Sequence, residues 1–560
     1  MVTALAIAAR AAPATAEPAA QPLRSTRGAV AADNEVASKV GAEALADGGN
    51  AVDAAVATAL ALGVVSPGSS GIGGGGFALV WDADTHTLHV YDFREVAPAA
   101  LDPGDFVVGG KPEPKLAQEG GLAVGVPGEV RGLAAMTRRH GRLSWRRLVA
   151  PAARLARDGA AASGFFAYVS ADTMPDLPPG PTWAPMRALL GGDAPIAPGE
   201  IVVRGSLART LLAIARDPEA FYRGPIADDT IATIRAAGGV MTAQDLAAYQ
   251  IVERAALWGT WRGHRLATMP IPSSGGVIIL EALGILERTP YDLRTLGAGT
   301  APTFHVIAEA LKHAFADRAK LLGDSDAGRD AAAALLDDAR LRRLARTIEL
   351  DRTHEPEAYG EMPKPDPRGG TSHVCVIDAQ GNAVSLTTTV NGYFGSFLVT
   401  DGGVVLNDQI DDFMIDPTVV NAFGLTQSEA NLVGPGKRPL SSMSPTLVFD
   451  ASGEHVIGCA GGSGGPRIIS FTMAAIINAW LFELDAYTAV ASQRVHHQWS
   501  PDTLRVDPAM TPAMRAELTK RGHVLVDLTA PTAVQLIKVL PDGVIEAASD
   551  PRKGGVPAAP

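Results

Sequence analysis

The chain has 560 residues and only two cysteines, Cys375 and Cys459. Two cysteines exclude a disulfide framework and a cysteine-based zinc site. Both lie in apolar, strand-like segments, so two buried thiols are expected, with a single disulfide as the alternative. There is no run of basic residues and no interleaving of basic with aromatic residues, and the net charge is −12. These absences argue against a nucleic-acid partner. No apolar stretch reaches membrane-spanning length; the longest candidate, Ile468 to Phe482, is too short. Glycine (60) and proline (40) are numerous but dispersed, which excludes collagen and low-complexity sequence.

What is present is apolar content of 47%, with mean hydropathy +0.12. That is enough for a large core, and the length suits two to four domains. Met1 to Ala20 is alanine-rich, with a short apolar run and small-residue sites such as Ala14-Thr15-Ala16. It reads as a secretory signal without a basic leader, and export is the expectation.

In chain order, Glu35 to Leu45 and Ala51 to Leu62 have helical spacing, broken at Gly48-Gly49-Asn50. Gly71 to Gly76 matches G-x-G-x-x-G by letter, but a helix precedes it and a strand follows, the reverse of the dinucleotide-binding order. It reads as a tight backbone loop. Phe77 to Trp81 and Thr87 to Tyr91 form a hairpin that delivers Phe93-Arg94-Glu95. Helices are expected over Leu207 to Arg216, Ile226 to Ala237, Thr242 to Tyr249, Phe304 to Leu321 and Ala331 to Leu350. The segment Asp416 to Gly436 is long and irregular, as lids are. Alternating groups of hairpins and helices fit an α+β fold, with sheets covered by helices.

Two nucleophiles compete. Gly461-Gly462-Ser463-Gly464-Gly465 satisfies G-x-S-x-G between a strand and a helix, with His496, His497 or His523 as base and Asp485 as orienting acid. However, four glycines in five residues match that pattern cheaply, and the parallel β-α units of that hydrolase class are missing. The second candidate is Thr371. Pro367-Arg368-Gly369-Gly370 reads as an exposed loop, and it ends abruptly where Thr371 opens a strand. This is either a domain linker or a cleavage point. Cleavage would place a free α-amine beside the Thr371 hydroxyl, one way to activate a weak nucleophile. A three-residue turn, Ala379-Gln380-Gly381, pairs Asp378 with Asn382 and sets Thr371 opposite Thr389. Thr387, Thr389 and Asn391 then share its face. A two- or four-residue turn would turn Thr389 away.

Several blocks together resemble the γ-glutamyltransferase family of N-terminal-nucleophile hydrolases. They are Gly-Gly-Thr-Ser-His at 369–373, Thr-Thr-Thr-Val-Asn at 387–391, Asn-Asp-Gln-Ile-Asp-Asp-Phe at 407–413, Lys-Arg-Pro-Leu-Ser-Ser-Met-Ser-Pro at 437–445 and Gly-Ser-Gly-Gly-Pro-Arg at 462–467. Gly48 to Ala55, the Gly71–Gly76 loop, Phe93-Arg94-Glu95 and Val126-Pro127-Gly128 match as well, so the likeness runs from about Gly28 to Gly554.

The resemblance implies a four-layer αββα sandwich without cofactor or metal. The precursor would cut itself between Gly370 and Thr371 into a 25–370 large subunit and a 371–560 small subunit, behind a signal or disordered 1–24. Thr371 would be the nucleophile and Thr389 its orienting partner. The N–H groups of Gly464 and Gly465 would form the oxyanion hole. Arg94, Ser441 and Ser442 would hold the α-carboxylate of a glutathione-like donor; Asn391, Gln409 and Asp412 would hold its α-ammonium. Water or an amino-acid amine would accept the acyl group, in a periplasmic or secreted setting. The sequence departs from the family pattern in two places. Ser372 stands where many relatives have threonine, and Phe423 stands where a lid tyrosine is common. A cephalosporin or glutaryl amidase of the same fold is the nearest alternative; a relative that never matures and only binds is a remote one.

Overall fold

The structure is a computed structural model that describes residues 21–360 and 370–560. The signal-like Met1 to Ala20 and the loop before Gly370 lie outside the described residues. Two antiparallel sheets carry the fold. The six-stranded sheet runs in the order Gly28–Ala32, Ser372–Asp378, Ala383–Thr389, Gly75–Asp82, Thr87–Phe93, Val252–Arg254. The seven-stranded sheet runs Leu23–Ser25, Ile545–Ser549, Ala533–Val539, Val456–Ser463, Thr446–Phe449, His264–Thr268, Leu257–Trp261. Each sheet draws strands from both sides of Gly370.

Period-two alternation sorts the side chains into layers. Val374 and Val376 point to one face, where they join the helices Glu35–Ala46, Ala51–Val65 and Glu129–His140 in one core. Cys375 and Ile377 point to the other face, where they pack with Leu447, Phe449 and Ile537 of the seven-stranded sheet. The outer face of that sheet (Leu266, Val448, Leu536) packs on the helices Ser274–Arg288, Ala301–Leu321 and Arg467–Trp480. The layering is helix, sheet, sheet, helix, as the resemblance implies.

The turn chemistry sets the register. Gly381 sits at φ +85°, and the Asp378 N–H donates to the Asn382 carbonyl at 3.0 Å. Ser372 then pairs Thr388 and His373 pairs Thr387, as the three-residue turn requires. At the far end of the strand, the Asp378 carboxylate accepts the Ala51 N–H at 3.0 Å, next to a capping box built by Asn50 and Asp53. This ties the strand to the first turn of the small-residue helix.

Two expectations change. Cys375 and Cys459 are not thiols but a disulfide joining the two sheets, with their Cα atoms 5.8 Å apart. Both point between the sheets, and their separation of 84 residues hides the pairing in sequence. The helix expected over Ala331 to Leu350 is two helices, Asp326–Leu335 and Asp338–Ala345. The side chain of Asp337 accepts the Arg340 N–H and caps the second.

Candidate active site

Thr371 opens the Ser372–Asp378 strand, in phase with Cys375, so its side chain faces the seven-stranded sheet. It is 5% exposed. Its hydroxyl donates to the Gly370 carbonyl at 2.6 Å and lies 3.2 Å from the Thr389 hydroxyl. Thr389 also reaches the Gly370 oxygen, at 3.0 Å, and accepts the Asn391 N–H at 2.8 Å. Two hydroxyls therefore converge on the carbonyl of the peptide bond that precedes Thr371. Two positions along, His373 bonds the Thr387 hydroxyl at 2.8 Å, and burial pushes the imidazole down to about 3, so it is neutral. A Cβ at Gly461 would fall inside that ring, 2.1 Å from its Cε1, so the two sheets approach here only because Gly461 has none.

Across the gap, the Val456–Ser463 strand ends at Gly464 and Gly465, which open the helix Arg467–Trp480. Their φ values are +122° and +62°. A Cβ would strike Thr532 at Gly464 and Phe423 at Gly465, each at 2.6 Å. Among the described residues no partner takes either N–H. Unpaired donors at a helix N-terminus suit a developing negative charge.

Arg94, Thr371, Thr389, Asn391, Asp412, Ser441, Ser442 and Gly465 line one cavity of about 20 Å³, with Phe423 on its wall. Within it the Arg94 guanidinium pairs with the Asp412 carboxylate at 2.5 Å. Gln409 donates to the same carboxylate at 2.9 Å, and Asn421 donates to its other oxygen at 3.3 Å. Burial raises the Asp412 carboxyl while Arg94 opposes that rise. Arg94 itself is held from behind: the Tyr249 hydroxyl donates to its carbonyl at 2.9 Å, and so does Arg438. Asn391, at φ +77°, turns out of its strand and donates to the Asp408 carbonyl at 3.1 Å. The Ser441 hydroxyl accepts the Met443 N–H at 3.0 Å, a turn bond that leaves its proton available.

The fold thus collects all the residues named for the Thr371 site. It does not assemble the Ser463 alternative. The Ser463 hydroxyl meets Lys553 at 3.0 Å. His496 bonds Ser470 and Gln498, His523 bonds His305, and His497 lies beside Asp502. Asp485 caps the helix Ala486–Ala491.

Two residues escaped sequence reasoning. The buried Lys553 ammonium donates to the Thr371 carbonyl at 2.8 Å, to Ser463 at 3.0 Å and to Asp33 at 2.7 Å. It links the candidate nucleophile to the residue before the two glycines. Nothing in the spacing of Asp550-Pro551-Arg552-Lys553-Gly554 signals this. Glu95 is fully buried 4.0 Å from Arg94, its carboxylate oxygens accept no hydrogen bond among the described residues, and burial lifts it to about 7. Its place in the Phe93-Arg94-Glu95 block was the available clue.

Two facing antiparallel sheets between helix layers, with a threonine opening an inner strand, define the class of N-terminal-nucleophile hydrolases. The chain belongs to the gamma-glutamyltranspeptidase family, whose model matches residues 37–559. It is 38% identical over 542 residues to a glutathione hydrolase proenzyme of Escherichia coli K12, covering 95% of this chain and 91% of that one. The crystal structure of a cephalosporin acylase from Bacillus halodurans superposes with a TM-score of 0.84 at 26% identity, covering 99% of both chains. A gamma-glutamyltranspeptidase from Pseudomonas nitroreducens, complexed with L-DON, gives 0.55 at 33% identity over 58% of this chain and 96% of that one. The protein is therefore an enzyme of this family.

Proposed function

We propose that the chain is a self-cleaving γ-glutamyltransferase and glutathione hydrolase. The carrying observation is the convergence of Thr371 and Thr389 on the Gly370 carbonyl, beside a buried Arg94–Asp412 pair of opposite charges.

In maturation the Thr371 hydroxyl attacks the Gly370 carbonyl carbon. The peptide becomes an ester and the Thr371 α-amine is released. Water then hydrolyses the ester, leaving a Gly370 carboxylate and a free Thr371. In turnover the new α-amine, with a reference pKa near 8, takes the hydroxyl proton. The oxygen attacks the donor's γ-carbonyl, and the N–H groups of Gly464 and Gly465 receive the developing oxyanion, each worth about 3 kcal/mol. The amine leaves with the proton, and water or a second amine takes the acyl group.

Arg94 and Asp412 suit a zwitterionic glutamyl donor such as glutathione. Its α-carboxylate would take Arg94 with Ser441 and Ser442. Its α-ammonium would take Asp412 with Gln409 and Asn391. The exchange replaces one buried ion pair with two, so no charge is left unpaired. A cavity of about 20 Å³ is smaller than a glutamyl group, so the lid segment carrying Phe423 moves when the donor enters.

The likeness to a cephalosporin acylase favours a second reading, a glutaryl-type amidase. A glutaryl group has no ammonium for Asp412, which favours the γ-glutamyl reading. Comparing rates on γ-glutamyl and glutaryl anilides tests it: γ-glutamyl should be faster by about a hundredfold, and a faster glutaryl substrate overturns it. The disulfide and the signal-like N-terminus support a periplasmic or secreted setting. Among the described residues no helix is long and apolar enough to cross a membrane.

A further inference from the structure

We infer that His305, Glu309 and His523 form a binding site for one divalent transition-metal ion such as zinc, which fastens the large and small subunits of the matured enzyme to each other. The site needs only the fold. The fastening rests on the self-cleavage reading above, because His305 and Glu309 precede Gly370 and His523 follows Thr371. None of the three lines the Thr371 cavity, so the ion is structural rather than catalytic.

His305 and Glu309 stand four residues apart on the helix Ala301–Leu321, so they share one face. His523 follows the helix Pro512–Lys520 and meets them from the other subunit. All three are buried, and one nitrogen or oxygen from each lies within 4.8 Å of the others. An outer contact fixes the tautomer of His305. Its Nε2 lies 2.7 Å from the Glu349 carbonyl, which can only accept, so the proton sits there and the Nδ1 lone pair points inward. That lone pair faces Nε2 of His523 at 2.8 Å. The proton between the two rings therefore belongs to His523. When the ion takes its place, His523 carries that proton on Nδ1 and stays neutral. Metal-bound imidazoles are held in this way, with one nitrogen on the ion and the other N–H on a carbonyl. Ligands about 2.0–2.1 Å from a tetrahedral zinc stand about 3.3 Å apart, so the two rings open by about half an ångström and Glu309 draws in.

Glu309 supplies an independent reason for a cation. It is 1% exposed, and among the described residues no basic side chain forms an ion pair with it. Its two oxygens accept hydroxyls instead, from Thr353 at 2.6 Å and from Tyr359. A buried carboxylate is ordinarily paired with a cation or bound to a metal. Lys312, three residues further along the same helix, is committed elsewhere. Its ammonium donates to the Thr353 hydroxyl at 2.7 Å and the His354 carbonyl at 2.9 Å, and pairs with Asp502 at 3.4 Å. His497 is also turned away: its Nδ1 accepts the Trp499 N–H at 3.1 Å and its Nε2 lies 3.3 Å from Asp502. The donor set is therefore two imidazole nitrogens and one carboxylate, which suits zinc with water as the fourth ligand. Thr353 and Tyr359, which orient that carboxylate, lie in the stretch ahead of Gly370, so the same cluster ties down the end of the large subunit.

The test uses the matured enzyme, purified without a histidine tag and stripped with a chelator, with zinc sulfate as the probe. Zinc retained after gel filtration is counted by mass spectrometry, and subunit separation is followed on heating. About one zinc should remain per pair of subunits, held with a Kd of about 1 µM or tighter, and separation should be delayed by several degrees. Glu309→Gln and His305→Gln should each weaken zinc binding at least tenfold, while zinc-free γ-glutamyl anilide hydrolysis within about twofold shows that the variants fold. Cobalt gives a readout that needs no variant: bound to the unsubstituted enzyme, it should show the visible absorption of tetrahedral coordination. No zinc retained by the unsubstituted enzyme, or zinc retained equally by both variants, overturns the site. Zinc bound without any delay in separation overturns the fastening. An intact chain that binds one zinc supports the site and overturns the self-cleavage reading instead.

Discussion

At the residue scale the site is a set of charges and hydroxyls held at fixed places by their neighbours. The Asp412 carboxylate accepts the Arg94 guanidinium directly, so Asp412→Ala removes that partner and the ammonium's partner together. The expected loss is about 2–5 kcal/mol, read as a thirtyfold or greater rise in donor KM; an unchanged KM would contradict the assignment. Glu95 gives the site a pH dependence. Its carboxyl titrates near 7 and lies 4.0 Å from Arg94. Below that pH it is neutral and leaves Arg94 to the donor; above it, its charge competes with the donor's carboxylate. Donor KM should rise as pH passes upward through 7, and Glu95→Gln should flatten the rise. Lys553 touches Thr371 only through the carbonyl, so it is a positioning residue. Lys553→Met should lower kcat by about tenfold or more with little change in KM, and Lys553→Arg should restore part of it.

At the element scale the nucleophile strand is held at both ends and in the middle. Asp378 ties it to a helix N-terminus, Lys553 holds its first carbonyl, and the Cys375–Cys459 bridge joins it to the strand leading to Gly464. In the chain-entropy account a loop of this length is worth about 4–5 kcal/mol. The protein denatured without reductant should give no free thiol, and Cys375→Ala with Cys459→Ala should lower Tm by several degrees. Two free thiols would contradict the bridge.

The elements also show what sequence can and cannot convey. The hairpin around Gly381 was legible because turn length and alternation are local rules, and they alone bring Thr389 to Thr371. The disulfide was not legible, because its partners lie on different sheets and only the stacking of those sheets brings them together. The Arg94–Asp412 contact leaves no trace in the sequence, since Arg94 follows the Thr87–Phe93 strand, Asp412 lies 318 residues further on, and only the packing of the fold brings them together. Lys553 was missed because its function lies in a buried contact with a backbone carbonyl, which leaves no pattern in spacing. The break at Asp337 shows that helical periodicity passes over a cap it does not weigh.

At the scale of the whole molecule, each sheet holds a block of strands from after Gly370 flanked on both sides by strands from before it. Cutting between Gly370 and Thr371 leaves every ladder in place. The two chains should therefore co-elute as one particle in native size-exclusion chromatography and separate only under denaturant; separation on maturation would contradict the interleaved arrangement. The central claim is that Thr371 cuts its own chain and then serves as the catalytic nucleophile. Denaturing electrophoresis with N-terminal sequencing tests it most directly. The account predicts two bands, the smaller beginning at Thr371, and a single inactive band for Thr371→Ala. An intact chain that stays active when Thr371 is alanine but loses activity on Ser463→Ala would contradict it.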